Sequence, residues 1–134
     1  MTPYRITLVL TVLAAVVVVL TRVRLMRDKG AGRLSIPHGL INTHTFAGVP
    51  AVILWAAYLV TEVAVVGWVA LLFWWVTVVA GLLVLARWMP ARGRHSSGPT
   101  TDTWGEGPGL SVLAHVGLLV GVVLFTAFLA TGNI

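Results

Sequence analysis

Four apolar segments, each long enough to cross a bilayer and almost free of charge, limit what this chain can fold into. A helix needs roughly 20 apolar residues to traverse a hydrocarbon core of about 30 Å. The segments 4–23, 38–61, 63–88 and 109–131 all meet that length. Only 10% of the 134 residues are charged and 58% are hydrophobic, whereas an ordinary soluble domain carries about 25% charged residues. Val9 to Leu20 and Val63 to Ala86 show no polar stripe, so these helices meet lipid rather than water. The expected fold is an all-α membrane protein. It is a single domain, a four-transmembrane-helix bundle running up-down-up-down.

The punctuation of the sequence agrees with its hydropathy. Pro37 precedes the second span, with Ser35 available as a cap. Pro90 is expected to close the third span, and Pro108 with Gly109 opens the fourth. The second and third spans are joined by a few residues around Glu62, which predicts a tight antiparallel hairpin; a break shifted to Gly67 is the alternative. Two basic loops remain, 24–37 and 89–108, the second rich in Gly, Ser, Thr and Pro and without apolar periodicity.

Charge gives the expected orientation. Arg22, Arg24, Arg27, Lys29 and Arg33 lie in or beside the first loop, and Arg87, Arg92 and Arg94 in or beside the third; the opposite face offers Arg5 alone. The positive-inside rule puts both basic loops in the cytoplasm and both termini outside. The first span resembles a signal peptide in having Arg5 before an apolar run, but the strongly basic block after it lacks a small-residue cleavage pattern, so it reads as retained. The net charge of +5 sits beside the spans, where anionic headgroups attract it, so nucleic acid is not an expected partner. A bias toward Arg, Ala, Val and Gly suggests a GC-rich bacterial source, and hence a multi-pass protein of the bacterial inner membrane.

Composition also removes whole classes of chemistry. There is no cysteine, which excludes disulfides, thiolate metal sites and CxxC relays. Glu62 falls in the outer turn and Asp28, Asp102 and Glu106 in loops, so no carboxylate lies near the middle of a span. Proton-coupled antiport of the small multidrug type needs such a carboxylate. No nucleophile triad can be assembled, and the spans offer no continuous polar path for a channel.

Histidines remain. His38 and His95 sit at the cytoplasmic headgroup level, whereas His44 and His115 are deeper, each about 9 Å along a helix that runs in the same direction. Two neutral imidazoles at matched depth are what a low-spin haem iron needs for axial ligation, and bundle interiors are where helical proteins hold such cofactors. Small residues flank the pair: Gly48 and Ala51 lie one and two turns after His44, and Ser111 one turn before His115. Arg22, Arg24, Arg33, Arg87 and Arg92 are placed to neutralise propionates on the cytoplasmic side. The plain alternative for either histidine is a hydrogen bond to a neighbouring helix, worth about 1 kcal/mol or less. His38 is the substitute ligand if His44 faces outward, because the two differ by about 240° around the helix.

His38 and Asn42 also form a candidate quinone site at the membrane edge. Thr43 and Thr45 are expected to bond back to the preceding turn, and Pro50 to kink the second helix above His44. Gly117 and Gly121 form a GxxxG pair suited to close helix packing, either against another subunit or against a second copy of the chain. Trp68, Phe73, Trp74 and Trp75 read as packing residues and interfacial anchors.

In helix count and in the pair His44 and His115, the chain resembles the small four- or five-helix cytochrome b anchor subunits of respiratory dehydrogenases. That resemblance implies one haem b between helices two and four, in an electron-transfer subunit of a respiratory complex. Such a subunit is not catalytic alone, and its electrons come from another redox subunit or from a quinone. The alternative of a different class is a cofactor-free accessory or assembly subunit of a larger membrane complex, packed through Gly117 and Gly121.

Overall fold

A computed structural model of the chain describes residues 2–27, 38–95 and 108–134, and side chains within 2–19, 39–86 and 112–134. It contains four helices: α1 (Pro3–Arg27), α2 (His38–Thr61), α3 (Ala64–His95) and α4 (Pro108–Ala130). There is no strand among the described residues. Three stretches are long and apolar enough to cross a membrane: Gly39–Thr61, Ala64–Ala86 and Val112–Ala130. Among the residues whose side chains are described, α1 contributes the apolar stretch Pro3–Val19.

The third helix does not stop at Pro90, as its proline suggests, but runs on to His95. A proline withholds one backbone donor, here the N–H that would reach the carbonyl of Ala86, and the turns on either side keep their own hydrogen bonds. Pro50 lies inside α2 in the same way, without ending it. Chain reversal between α2 and α3 falls at Glu62. This residue adopts φ 56°, and its N–H donates to the carbonyl of Tyr58 at 2.7 Å, a left-handed cap. The N–H groups of Val66 and Gly67 donate to the carbonyl of Val63, so Gly67 is already part of the next helix. At the end of α4, Gly132 takes φ 65° while its N–H reaches Leu129 and that of Asn133 reaches Phe128, a Schellman closure.

Each helix packs on two neighbours in the ring α1, α2, α3, α4, and the diagonal pairs keep their backbones apart. The α2–α3 contact is the most extensive, and residue size explains it. A Cβ added at Gly67 would stand 3.0 Å from the Tyr58 ring, one at Gly48 would stand 3.4 Å from Thr77, and one at Gly81 would stand 3.0 Å from His44. These three contacts belong to one antiparallel register, in which steps of four and three residues along α2 match equal steps back along α3. The same register sets Ala51 against Trp74 and Trp55 against Ala70, all four with no exposed surface. At every level a large side chain meets a small one, which lets the two backbones approach closely.

The other helices close on this hairpin through an aromatic layer. Trp55 stacks on Phe125 of α4 at 4.7 Å between centroids, and Trp74 meets the same ring edge-on at 6.1 Å. The indole of Trp55 donates to Thr11 Oγ1 of α1 at 3.1 Å, and Thr11 donates onward to the carbonyl of Thr7. Outward positions such as Val12, Ile53, Val65 and Leu72 are more than half exposed, an apolar surface suited to lipid.

Gly67→Leu is expected to lower stability by about 1–3 kcal/mol, since the Tyr58 ring and its hydrogen bond to the Ile134 carbonyl would have to move. Thermal unfolding in detergent measures this; an unchanged midpoint would contradict the close α2–α3 register.

Candidate functional site

The α2–α3 register decides what surrounds His44. Starting from the turn at Glu62, it brings position 81 of α3 to the level of His44, and that position is a glycine. On the diagonal helix α4, His115 reaches the same point. A Cβ on Gly81 would stand 2.9 Å from His115 Cδ2 and 3.0 Å from both Cδ2 and Nε2 of His44. The two imidazoles therefore converge over one residue without a side chain, with centroids 6.2 Å apart and planes tilted by 42°. Both rings are partly buried, turned into the bundle rather than out to lipid.

Neighbouring polar groups are already committed. Thr43 Oγ1 donates to the Gly39 carbonyl at 2.9 Å and Thr45 Oγ1 to the Ile41 carbonyl at 3.1 Å, as expected for threonines in a membrane helix. Thr77, fully buried one turn from Gly81, donates to the Phe73 carbonyl at 2.8 Å. Gly48, expected to leave space beside His44, is packed against Thr77 and Val18. Asn42 is exposed on the outer side of α2, away from the pair. Gly117 and Gly121 have no neighbour among the described residues within 4 Å of where a Cβ would stand.

Several expected site residues lie outside the described side chains: His38, Ser111, Arg22, Arg24, Arg87 and Arg92; Arg33 lies outside the described residues altogether. Gly81 is the site residue that sequence reasoning missed. Its signal was present, because the short link at Glu62 fixes which residue of α3 faces His44.

The donor set bears on what the pair can hold. No group of three or more His, Cys, Asp or Glu side chains is gathered among the described residues. A bare zinc ion takes three or four protein ligands, so two imidazoles suit a metal that arrives with most of its ligands already in place. Two imidazoles binding one metal from opposite sides, through bonds of about 2 Å, set their centroids roughly 6 Å apart. The observed separation is of that size. A flat macrocycle held between α2 and α4 turns its rim toward the helices that bear no ligand, so α3 must lack a side chain at this level. Gly81 meets that requirement. In the structure it carries the edges of the two imidazoles.

Contact of both rings with Gly81 predicts an energetic coupling. Gly81→Val should destabilise the protein by about 1–3 kcal/mol, and His44→Ala in the same chain should recover a large part of that loss. A double-mutant cycle on thermal unfolding reads it out; strict additivity would show that Gly81 and His44 do not touch. No family model, curated protein or solved structure matches this chain.

Proposed function

We propose that the protein is a small membrane cytochrome of b type that would hold one haem between α2 and α4 through His44 and His115. The convergence of the two imidazoles over Gly81 carries this reading. When bound, haem supplies reversible one-electron chemistry at its iron. The chain's own residues provide the two nitrogens, the bare α3 surface opposite them and an apolar surround in which Val78 and Leu118 are buried. Arg22, Arg24, Arg33, Arg87 and Arg92 are assigned to the propionates on charge and sequence position alone. The chain carries no flavin, nucleotide or iron–sulfur motif, so in this reading it exchanges electrons with another subunit of a respiratory complex or with a quinone.

In the same proposal all four helices cross the bacterial inner membrane, with both termini outside and the basic segments inside. Three helices long and apolar enough to span support it, and α1 packs alongside two of them, α2 and α4. The absence of native cysteine makes topology directly measurable. In intact cells a membrane-impermeant maleimide is expected to label Asn133→Cys, and to label Ser97→Cys only after permeabilisation. The reverse pattern would invert the orientation.

For the haem itself, protein purified in mild detergent should show a Soret band that sharpens and shifts on reduction. His44→Ala and His115→Ala should each abolish it or reduce haem content at least fivefold, whereas His38→Ala should retain it. A colourless wild-type protein, or full haem in His44→Ala, would reject the reading. A second reading, a cofactor-free accessory subunit, is favoured by Gly117 and Gly121, which nothing among the described residues covers at the Cβ position. It predicts that Gly117→Leu loses co-purifying subunits and that no variant changes the visible spectrum.

A further inference from the structure

At the end of the bundle opposite the histidines, where α2 and α4 both finish, the described residues enclose a pocket of about 290 Å³. Tyr4, Tyr58, Leu59, Glu62 and residues 132–134 line it. The α1–α2 register explains why these residues meet. Trp55 bonds Thr11, and a Cβ on Gly48 would stand 3.8 Å from Val18, so equal steps in opposite directions bring Tyr4 level with Glu62. Glu62 bears the only side-chain carboxylate among the described residues, and no ion pair or hydrogen bond reaches that carboxylate from any of them. The position disfavours it twice. Its φ of 56° is a conformation that glycine or asparagine adopts more readily, and an anion at the C-terminal end of α2 meets the negative pole of the helix.

The other polar groups around the pocket are mostly acceptors as well. Among the described residues no hydrogen bond reaches the carbonyls of Leu59, Val60 and Thr61 at the end of α2. Asn133 donates its amide to Thr131 Oγ1 at 2.6 Å, which leaves the amide oxygen. The hydroxyl hydrogen of Tyr58 is spent on the Ile134 carbonyl, and the N–H groups of Gly132 and Asn133 on the carbonyls of Leu129 and Phe128. The end of α4 adds a second negative helix pole beside the first. A fitting ligand brings donors and positive charge and asks for few donors in return; the group of that kind that a headgroup layer itself supplies is an ammonium. We propose that the pocket binds a primary ammonium, its N–H groups bonded to Glu62 and the free carbonyls and its alkyl stem against Leu59 and the tyrosine rings. Bare Ca²⁺ takes about six to eight oxygen ligands, whereas an ammonium is drawn to the faces of aromatic rings such as those of Tyr4 and Tyr58. The pocket begins where the apolar stretch Gly39–Thr61 ends, at the edge of the hydrocarbon layer, so an aminophospholipid headgroup and a soluble amine both have access to it. The assignment does not rest on the haem reading, because Glu62 lies about 27 Å along the helix direction from His44.

The test uses the full chain in a detergent free of amines. In native mass spectrometry with added phosphatidylethanolamine, the wild type should retain at least fivefold more lipid than Glu62→Gln or Tyr4→Ala. N-acetylated phosphatidylethanolamine, which has lost the charge at nitrogen, should be retained equally by wild type and variants. The outward substitution Val120→Leu on α4 should match the wild type. Butylammonium chloride is the soluble arm, and its saturation-transfer NMR signal should fall at least fivefold in Glu62→Gln. Circular dichroism and monodisperse elution identify folded variants; Glu62→Gln, which keeps the size of the side chain, decides the case alone if Tyr4→Ala does not fold. Glu62-dependent retention of the lipid identifies a headgroup as the source, and a Glu62-dependent butylammonium signal without such retention identifies a soluble amine; each supports the site. Equal binding of both probes by wild type and Glu62→Gln overturns it. So does full displacement of butylammonium by equimolar potassium chloride, which would leave a site for inorganic cations only. The Soret band is read on the same samples: a colourless wild type with Glu62-dependent binding removes the haem reading and leaves this site standing, and haem without such binding does the opposite.

Discussion

Everything in this bundle is referred to the close antiparallel contact of α2 with α3. Between helices in lipid there is little hydrophobic driving force, because the tails are as apolar as the side chains, so association depends on packing and on interhelical hydrogen bonds. The hairpin answers with alternating sizes: Tyr58 on Gly67, Trp55 on Ala70, Trp74 on Ala51, Thr77 on Gly48, His44 on Gly81. The large residue changes helix along the seam, so neither backbone is held off by its own side chains. A register fixed at one end by the left-handed turn at Glu62 is then carried, without slippage, to the histidine at the other.

The rest of the core follows from that ladder. Trp55 and Trp74 project from the two sides of the hairpin, and Phe125 of α4 fits between them, which sets the height of α4 and with it the height of His115. On the other side, the Trp55 indole donates to Thr11, which joins α1 to the same layer. Not every polar atom is satisfied: Thr7 Oγ1 and Trp74 Nε1 are buried without a hydrogen-bond partner among the described residues, each a cost of about 1–3 kcal/mol. The aromatic layer carries that cost through area and ring geometry, since a buried aromatic pair contributes about 0.5–1.5 kcal/mol beyond its burial.

Much of this was legible in the sequence. Helix count, the hairpin at Glu62, the back-bonding of Thr43 and Thr45, and the common depth of His44 and His115 all follow from hydropathy, spacing and the rise of a helix. Helix ends were less legible: Pro90 reads as a stop, yet one missing donor does not end a helix whose other hydrogen bonds persist. The role of glycines was misjudged for a related reason. Gly48 is on the same face as His44, which suggests open space, but a small residue in a tight seam invites the partner helix in, and Thr77 fills it. Gly81 attracts no notice within an apolar run until the turn position is known; then simple counting places it opposite His44.

The rung at Gly81 also differs from the others in the kind of side chain that covers the glycine. A glycine inside a helix costs about 1 kcal/mol relative to alanine, and the buried methylene it forgoes is worth about 0.8 kcal/mol more. Elsewhere in the seam such a cost is offset by a large apolar partner, as with Tyr58 on Gly67. At Gly81 the partners are two imidazoles, whose hydrogen bonds in a membrane are worth about 1 kcal/mol or less each. Leucine at 44 or 115 would bring more apolar contact and no polar group to satisfy. Three residues from three helices thus give up apolar contact at one level of the bundle, and it is on this level that the proposed haem site rests.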